Sequence, residues 1–230
     1  MAPSRTLRNV IDTCWSSNLA YALGLIASDG YLAKSTKRVQ FVSKDFELVV
    51  TFLKALNIKR PIRSHGRGGS VSKDYFLTEF KSVQFYDFLI KTGITPAKSR
   101  TIKNVAVPEK YFADFLRGLF DGDGTFWTSW DRRWPRSFVY NIGLSSASSE
   151  FVVWLKNHLS TLYGVKGYIC RGAGVYTIRY VKRDSRKIFS VMYYQPNLPH
   201  LHRKHDKILA ALEFDRNLRQ SMDYAAVAQW

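Results

Sequence analysis

Residues 19–32 read LAYALGLIASDGYL, and residues 113–126 read ADFLRGLFDGDGTF. Aligned on Gly24 and Gly118, both run Gly-Leu-apolar-x-small-Asp-Gly, with an aromatic residue close behind. The offset between the two aspartates is 123 − 29 = 94 residues. The segments downstream of each copy repeat as well. A strand-like run comes next, KRVQFVSK (37–44) and FVYNIGLSS (138–146), then a helix-like run over 45–59 and 148–166. Alternating runs around a Gly-rich turn then predict a hairpin over 60–80 and another over 167–181. Each half goes on to a short apolar helix, 82–94 and 185–195, and closes on a Pro-containing basic stretch, 95–103 and 197–207.

Repetition of element order as well as motif marks an internal duplication. The expected fold class is α+β, with two pseudo-symmetric αββαββα halves, each followed by a further helix. The expected boundaries are an extension over 1–17, a first half over 18–104, a second over 105–212 and a tail over 213–230. No Pro/Gly/Ser-rich linker separates the halves, so they should pack as one body. The one visible insertion is WTSWDRRWPRS (127–137).

Composition limits the partners. The chain has 230 residues, 46% of them hydrophobic and 15% aromatic, which excludes disorder and allows a sizeable core. With 35 Lys+Arg against 18 Asp+Glu, the net charge is +17. Such a charge on a folded chain points to a polyanion, with nucleic acid ahead of an anionic membrane. The basic residues spread from Arg5 to Arg219 rather than along one amphipathic segment. No apolar run is long enough to span a bilayer. Cys14 and Cys170 do not read as a disulfide framework, and the opening residues lack the apolar core of a secretory signal, so an intracellular setting is expected.

Both motifs read as helices. Leu19, Ala22, Leu23, Leu25 and Ile26 form one apolar stripe; Phe112, Phe115, Leu116, Leu119 and Phe120 form the other. Asn18 is the expected N-cap, and Gly30 and Gly124 the expected stops. Glycine within a helix costs about 0.5–1 kcal/mol relative to alanine. The pairs Gly24/Ser28 and Gly118/Gly122 therefore suggest two helices crossing at close range. Asp29 and Asp123 then fall in the last turns, where exposed carbonyls already make a helix end negative. Two carboxylates about 4 Å apart would repel by about 4 kcal/mol at an effective dielectric of 20. A divalent cation removes both penalties, and hard oxygen donors suit Mg²⁺.

The copies ALGLIASDG (22–30) and FLRGLFDGDG (115–124) resemble the motif of LAGLIDADG homing endonucleases of the monomeric, two-motif type. The first copy departs at Ala27, whereas the second keeps Asp121 there. Asp121 is read as a helix N-side or surface contact rather than a ligand. The resemblance implies that Asp29 and Asp123 hold divalent metal at the scissile phosphates, with the Ser28 and Gly122 carbonyls as further ligands. It implies Mg²⁺ as cofactor, with Mn²⁺ substituting and Ca²⁺ supporting binding without cleavage. It places one basic residue per half near the site, at Lys98 and Lys204, and water-ordering polar residues at Ser43 and Ser146.

The resemblance further implies that the two sheets form a saddle on DNA. Alternation along the strands then proposes Arg38, Gln40, Arg63, His65 and Thr78, with Lys44 nearby, and Asn141, Thr177 and Arg179 in the second half. The His200, His202, His205 cluster is not expected to bind zinc, since no cysteine or acid pattern supports it. HGRGGS (65–70) lacks the lysine of a P-loop and reads as a turn. The function expected is site-specific double-strand DNA cleavage by an intron-encoded monomer. The alternatives are an intron RNA maturase and a non-cutting DNA-binding protein on the same scaffold.

Overall fold

The computed structural model describes residues 11–66, 74–135, 137–172 and 174–227. The first half runs α1 (Ser17–Asp29), β1 (Gly30–Ala33), β2 (Arg38–Ser43), α2 (Phe46–Ala55), β3 (Arg63–His65), β4 (Tyr75–Lys81), α3 (Val83–Thr92) and α4 (Lys98–Thr101). The second runs α5 (Phe112–Asp123), β5 (Thr125–Trp130), β6 (Phe138–Ser146), α6 (Ser149–Tyr163), β7 (Tyr168–Gly172), β8 (Val175–Tyr180), α7 (Lys182–Met192) and α8 (His202–Val227). Each half contains a four-stranded antiparallel sheet, ordered β1-β2-β4-β3 and β5-β6-β8-β7. The duplicated order is therefore present in space as well as in sequence.

Period-2 alternation gives each sheet one apolar face. In β2, Val39 and Phe41 are fully buried, and Phe41 stacks on Phe52 of α2 at 4.6 Å. In the second sheet, Tyr140, Ile142 and Leu144 of β6 and Ile178 and Tyr180 of β8 are buried. They share the core with Phe151, Val152, Leu155 and Leu159 of α6. The opposite faces stay open to solvent.

Helices α1 and α5 join the halves. Every residue from Leu19 to Ile26 is buried, as expected of a helix enclosed on all sides. A Cβ on Gly24 would stand 2.2 Å from the Phe115 carbonyl oxygen, and one on Gly118 would stand 2.1 Å from that of Tyr21. These are backbone-to-backbone contacts that no side chain can enter. The close crossing expected from the small-residue pairs is present.

Several local expectations change. The N-cap of α1 is Ser16, whose hydroxyl accepts from Leu19 N at 3.2 Å, and Asn18 lies inside the helix. Gly30 and Gly124 do not end their helices in a left-handed turn; their φ angles are −77° and −69°, and the chain leaves directly as a strand. Glycine is needed there for space, because a Cβ would fall within 2.7 Å of Ile26 or Phe120. Residues 127–130 of the stretch that reads as an insertion continue β5, making β5 six residues long where β1 has four. Trp130 packs edge-on against Phe138 and against Phe214 of α8. The boundary expected at 212 falls within α8, which continues to Val227. Residues 1–10 of the expected extension and most of HGRGGS lie outside the described residues.

Candidate DNA-cleavage site

The crossing of α1 and α5 brings the ends of both motif helices together. Asp29 and Asp123 are their last residues. Gly122 makes room for this: a Cβ there would lie 1.9 Å from Ser28 Oγ and 2.7 Å from Asp29 Oδ2. Burial, reinforced by the nearby Asp123 charge, pushes the Asp29 carboxyl up to about 7. Burial also raises Asp123. Lys98 and Lys204 pull both in the opposite direction without cancelling the rise. Two acids are thus held where the polypeptide alone stabilises their charge poorly.

The two lysines serve the helix ends directly. Lys98, only 6% exposed, opens α4 just after Ala97, which has a left-handed φ of 57°. Its Nζ donates to the Ser28 carbonyl at 2.9 Å. Lys204 Nζ lies 2.7–2.9 Å from four carbonyl oxygens, those of Phe120, Asp121, Gly122 and Gly124. Three ammonium hydrogens must be shared among those four acceptors. Burial lowers both lysines, Lys204 to about 8. Each lysine therefore complements the negative end of a motif helix. The Ser28 and Gly122 carbonyls already accept from these lysines, which leaves each a single lone pair for any cation.

A cleft of about 540 Å³ opens beside Asp29, with Ser28, Gly122, Lys98, Ser43 and Lys44 in its wall. Ser43 Oγ accepts from Asp45 N at 3.1 Å, and Ser146 Oγ accepts from Ser148 N at 3.2 Å. The two serines are matched, each ordering the turn into the next helix; only Ser43 lines this cleft. Across the same wall Arg203 of α8 makes a bidentate pair with Asp45, both contacts at 2.7 Å. The adjacent His202 ring contacts Glu47 of α2. The second half is thus latched onto the first at the rim of the site.

The outward sheet faces carry most of the proposed DNA-contacting residues, with one correction. Arg38 and Gln40 lie on the open face of the first sheet, but Glu79 engages them at 2.9 and 3.0 Å and draws Arg63 to 3.7 Å. Thr78 is not on that face. One position out of phase with Glu79, it is fully buried and donates to the Pro61 carbonyl at 3.2 Å. His65 pairs with Tyr75 through the β3–β4 ladder, and its side chain lies outside the described residues. Lys44 Nζ sits 5.2 Å from the Tyr75 ring centre. In the second sheet Asn141, Thr177 and Arg179 share one face. Trp127 stands opposite Asn141, and the Arg179 guanidinium covers its ring at 5.5 Å. Trp127 belongs to the stretch that reads as an insertion; the signal that places it on this face is strand alternation through Phe126.

Of two buried charges, Asp121 differs from expectation and Arg117 carried none. Asp121 is neither a surface nor an N-side contact. It is 1% exposed and accepts from Tyr21 Oη at 2.7 Å and from Leu201 N at 2.9 Å, and burial pushes it up to about 6. Arg117 is fully buried, bonded to Asp114 at 2.7 Å and donating to the Pro199 and Met192 carbonyls, each at 2.8 Å. Its signal in the sequence is an Asp-x-x-Arg pair in an otherwise apolar helix. The His200 ring lies 4.6 Å from that of His202 and 4.4 Å from that of His205, tilted against both, and no group of three side chains able to hold a metal ion occurs among the described residues.

Residues 111–190 match the family described as the LAGLIDADG-like domain. No curated protein matches in sequence. Among solved structures, the meganuclease I-AabMI bound to uncleaved DNA is similar over 87% of this chain and 91% of its own, with 12% identity and a TM-score of 0.59. The homing endonuclease I-DmoI in complex with DNA and Ca is similar over 86% and 97%, with 18% identity and a TM-score of 0.53; it has also been solved with DNA and Mn. The N-terminal LAGLIDADG domain of DUF199/WhiA is similar over 82% and 88%, with 14% identity and a TM-score of 0.52. The second half therefore carries a LAGLIDADG-like domain, and the chain as a whole has the single-chain, two-half LAGLIDADG fold. No helix among the described residues is long and apolar enough to cross a membrane.

Proposed function

We propose that this protein is a monomeric, site-specific endonuclease that hydrolyses both strands of a long DNA target with a divalent metal, and that an intron carries its gene. The observation behind this reading is the paired Asp29 and Asp123, brought together as the last residues of two crossing helices between the two sheets. The fold alone does not select cleavage, because DUF199/WhiA shares it with homing endonucleases. A protein that only bound DNA would gain by replacing these acids. Keeping both, with Asp29 raised to about 7, is costly unless a cation compensates.

The donor set fits a hard, hydrated cation. Two carboxylates and carbonyls with one lone pair to spare suit Mg²⁺, which retains several waters and needs few protein ligands. Bound there, the metal would lower the pKa of a water and offset charge on the scissile phosphate. Asp29 and Asp123 would hold it; Lys98 and Lys204 would stabilise charge developing on phosphate oxygens. Ser43 and Ser146, anchored in their turns, would order water. In hydrolysis the water oxygen bonds to phosphorus, a bond from phosphorus to a sugar oxygen breaks, and a proton reaches the departing oxygen. Arg38, Gln40, Arg63, Asn141 and Arg179 would read base edges or neutralise phosphates.

Incubation with a randomised plasmid library in Mg²⁺ tests the reading. Double-strand cleavage at one site by wild type, lost in Asp29→Asn and Asp123→Asn while binding in Ca²⁺ persists, is the expected result. Full cleavage by either variant overturns the metal assignment. Absence of any cut, with accelerated splicing of an intron RNA, would assign the maturase function instead.

A further inference from the structure

Asp121 has no counterpart in the first motif, where Ala27 holds the matching position (27 + 94 = 121). Its partner Tyr21 is equally unmatched, since Phe115 stands at that place in the second half (21 + 94 = 115). The interface between α1 and α5 thus carries a polar pair on one side of its pseudo-twofold axis. On the other side the matching positions are both apolar.

The pair leads to Lys204. One Asp121 oxygen accepts from both Tyr21 Oη and Leu201 N; the other has no hydrogen-bond partner among the described residues. Leu201 immediately precedes α8, and its carbonyl accepts from Lys204 N at 3.1 Å in the first turn. Lys204 Nζ then returns to the carbonyls at the end of α5, including that of Asp121 itself at 2.8 Å. The side chain of Asp121 anchors the start of α8, and its backbone receives the ammonium that α8 delivers. Lys98 has no such brace. It reaches Ser28 from α4, behind the left-handed turn at Ala97.

We infer that Asp121 is a positioning residue that docks the start of α8 and thereby holds Lys204 beneath the end of α5. The second half's lysine depends on a buried contact that the first half's lysine lacks. On the endonuclease reading, on which this consequence rests, loss of Asp121 separates the two strand cuts. The strand served by Asp123 and Lys204 slows, and the strand served by Asp29 and Lys98 continues.

Two measurements on Asp121→Ala and Asp121→Asn test this. The first is lysine acetylation followed by mass spectrometry on the metal-free protein. Asp121→Ala should raise the modification rate of Lys204 at least fivefold and leave Lys98 within twofold. Asp121→Asn, whose carbonyl can still accept from Leu201 N, should stay near wild type. If Lys204 in Asp121→Ala remains as protected as in wild type, or if both lysines open together, the inference fails. The second is cleavage of a duplex labelled on each strand. Asp121→Ala should cut one strand at least tenfold more slowly than the other and accumulate nicked DNA, with affinity in Ca²⁺ within threefold of wild type. Equal slowing of both strands overturns the strand-selective role. If wild type cuts neither strand, the endonuclease reading fails, and the acetylation result still decides the role of Asp121.

Discussion

Most single substitutions destabilise a protein; for Asp29→Asn in the metal-free protein the expected effect is stabilising. Asp29 ionises near 3.8 when unfolded and near 7 in the folded protein, because burial and Asp123 oppose its charge. Below 3.8 the carboxyl is protonated in both states, and the folded state bears no cost. Between the two values the unfolded chain releases a proton that the folded protein keeps, so stability falls by about 1.36 kcal/mol per pH unit. Above 7 both states are ionised and the loss is constant, at most about 4 kcal/mol. Asparagine keeps the shape and carries no charge, although it no longer attracts Lys98 and Lys204, so 2–4 kcal/mol is the approximate gain expected at pH 8.5. Urea unfolding in chelator at pH 5 and pH 8.5 measures it. The difference between variant and wild type should be below about 2 kcal/mol at pH 5 and larger at pH 8.5. A variant no more stable than wild type at pH 8.5, or a gain independent of pH, refutes the reasoning. Ca²⁺ should raise the stability of wild type and do little for the variant.

Gly118→Ala should cost at least about 3 kcal/mol or prevent folding, because its methyl group would meet the Tyr21 carbonyl oxygen at 2.1 Å; thermal unfolding and soluble yield report it. Arg117→Ala should destabilise by about 3–5 kcal/mol, since it leaves the Asp114 carboxylate buried beside the Met192 and Pro199 carbonyls, and Asp114→Asn in the same background should recover part of that in a double-mutant cycle. DNA affinity measured in Ca²⁺ should fall steeply between 50 and 200 mM salt, whereas chelation should stop cleavage and leave much of the binding intact. Trp127→Ala should weaken DNA binding with little change in stability, because the ring lies on an outward sheet face under Arg179 and not in the core; paired titration and melting experiments separate the two.

The scaffold was legible because it is written twice. The order of elements, the crossing at Gly24 and Gly118 and the placing of Asp29 and Asp123 all come from periodicity, spacing and steric necessity. The site was less legible where one residue's role is set by a distant one. Nothing near Thr78 shows that the strand's phase turns it inward toward Pro61. Nothing near Arg38 and Gln40 shows that Glu79 will lie opposite Gln40 and diagonal to Arg38. Asp121 reads locally as a spare acid, and its partners Tyr21 and Leu201 lie 100 and 80 positions away. Gly30 and Gly124 likewise look like turn formers, but what requires glycine is the backbone and side chain of the residue one turn back, Ile26 and Phe120.

Glu79 gives the two halves unequal thresholds. On the DNA-binding reading, Arg38, Gln40 and Arg63 of the first sheet already have a partner, so a base edge would have to displace a carboxylate before contacting them. Arg179 rests on the Trp127 ring, whose face does not compete with a base edge for the guanidinium's in-plane N–H donors. A wrong base pair under the first half would therefore lose to an internal competitor as well as forfeit its own contact. One arm of the saddle would act as a selective gate and the other as a permissive grip, so single-base changes in the two half-sites should carry unequal penalties.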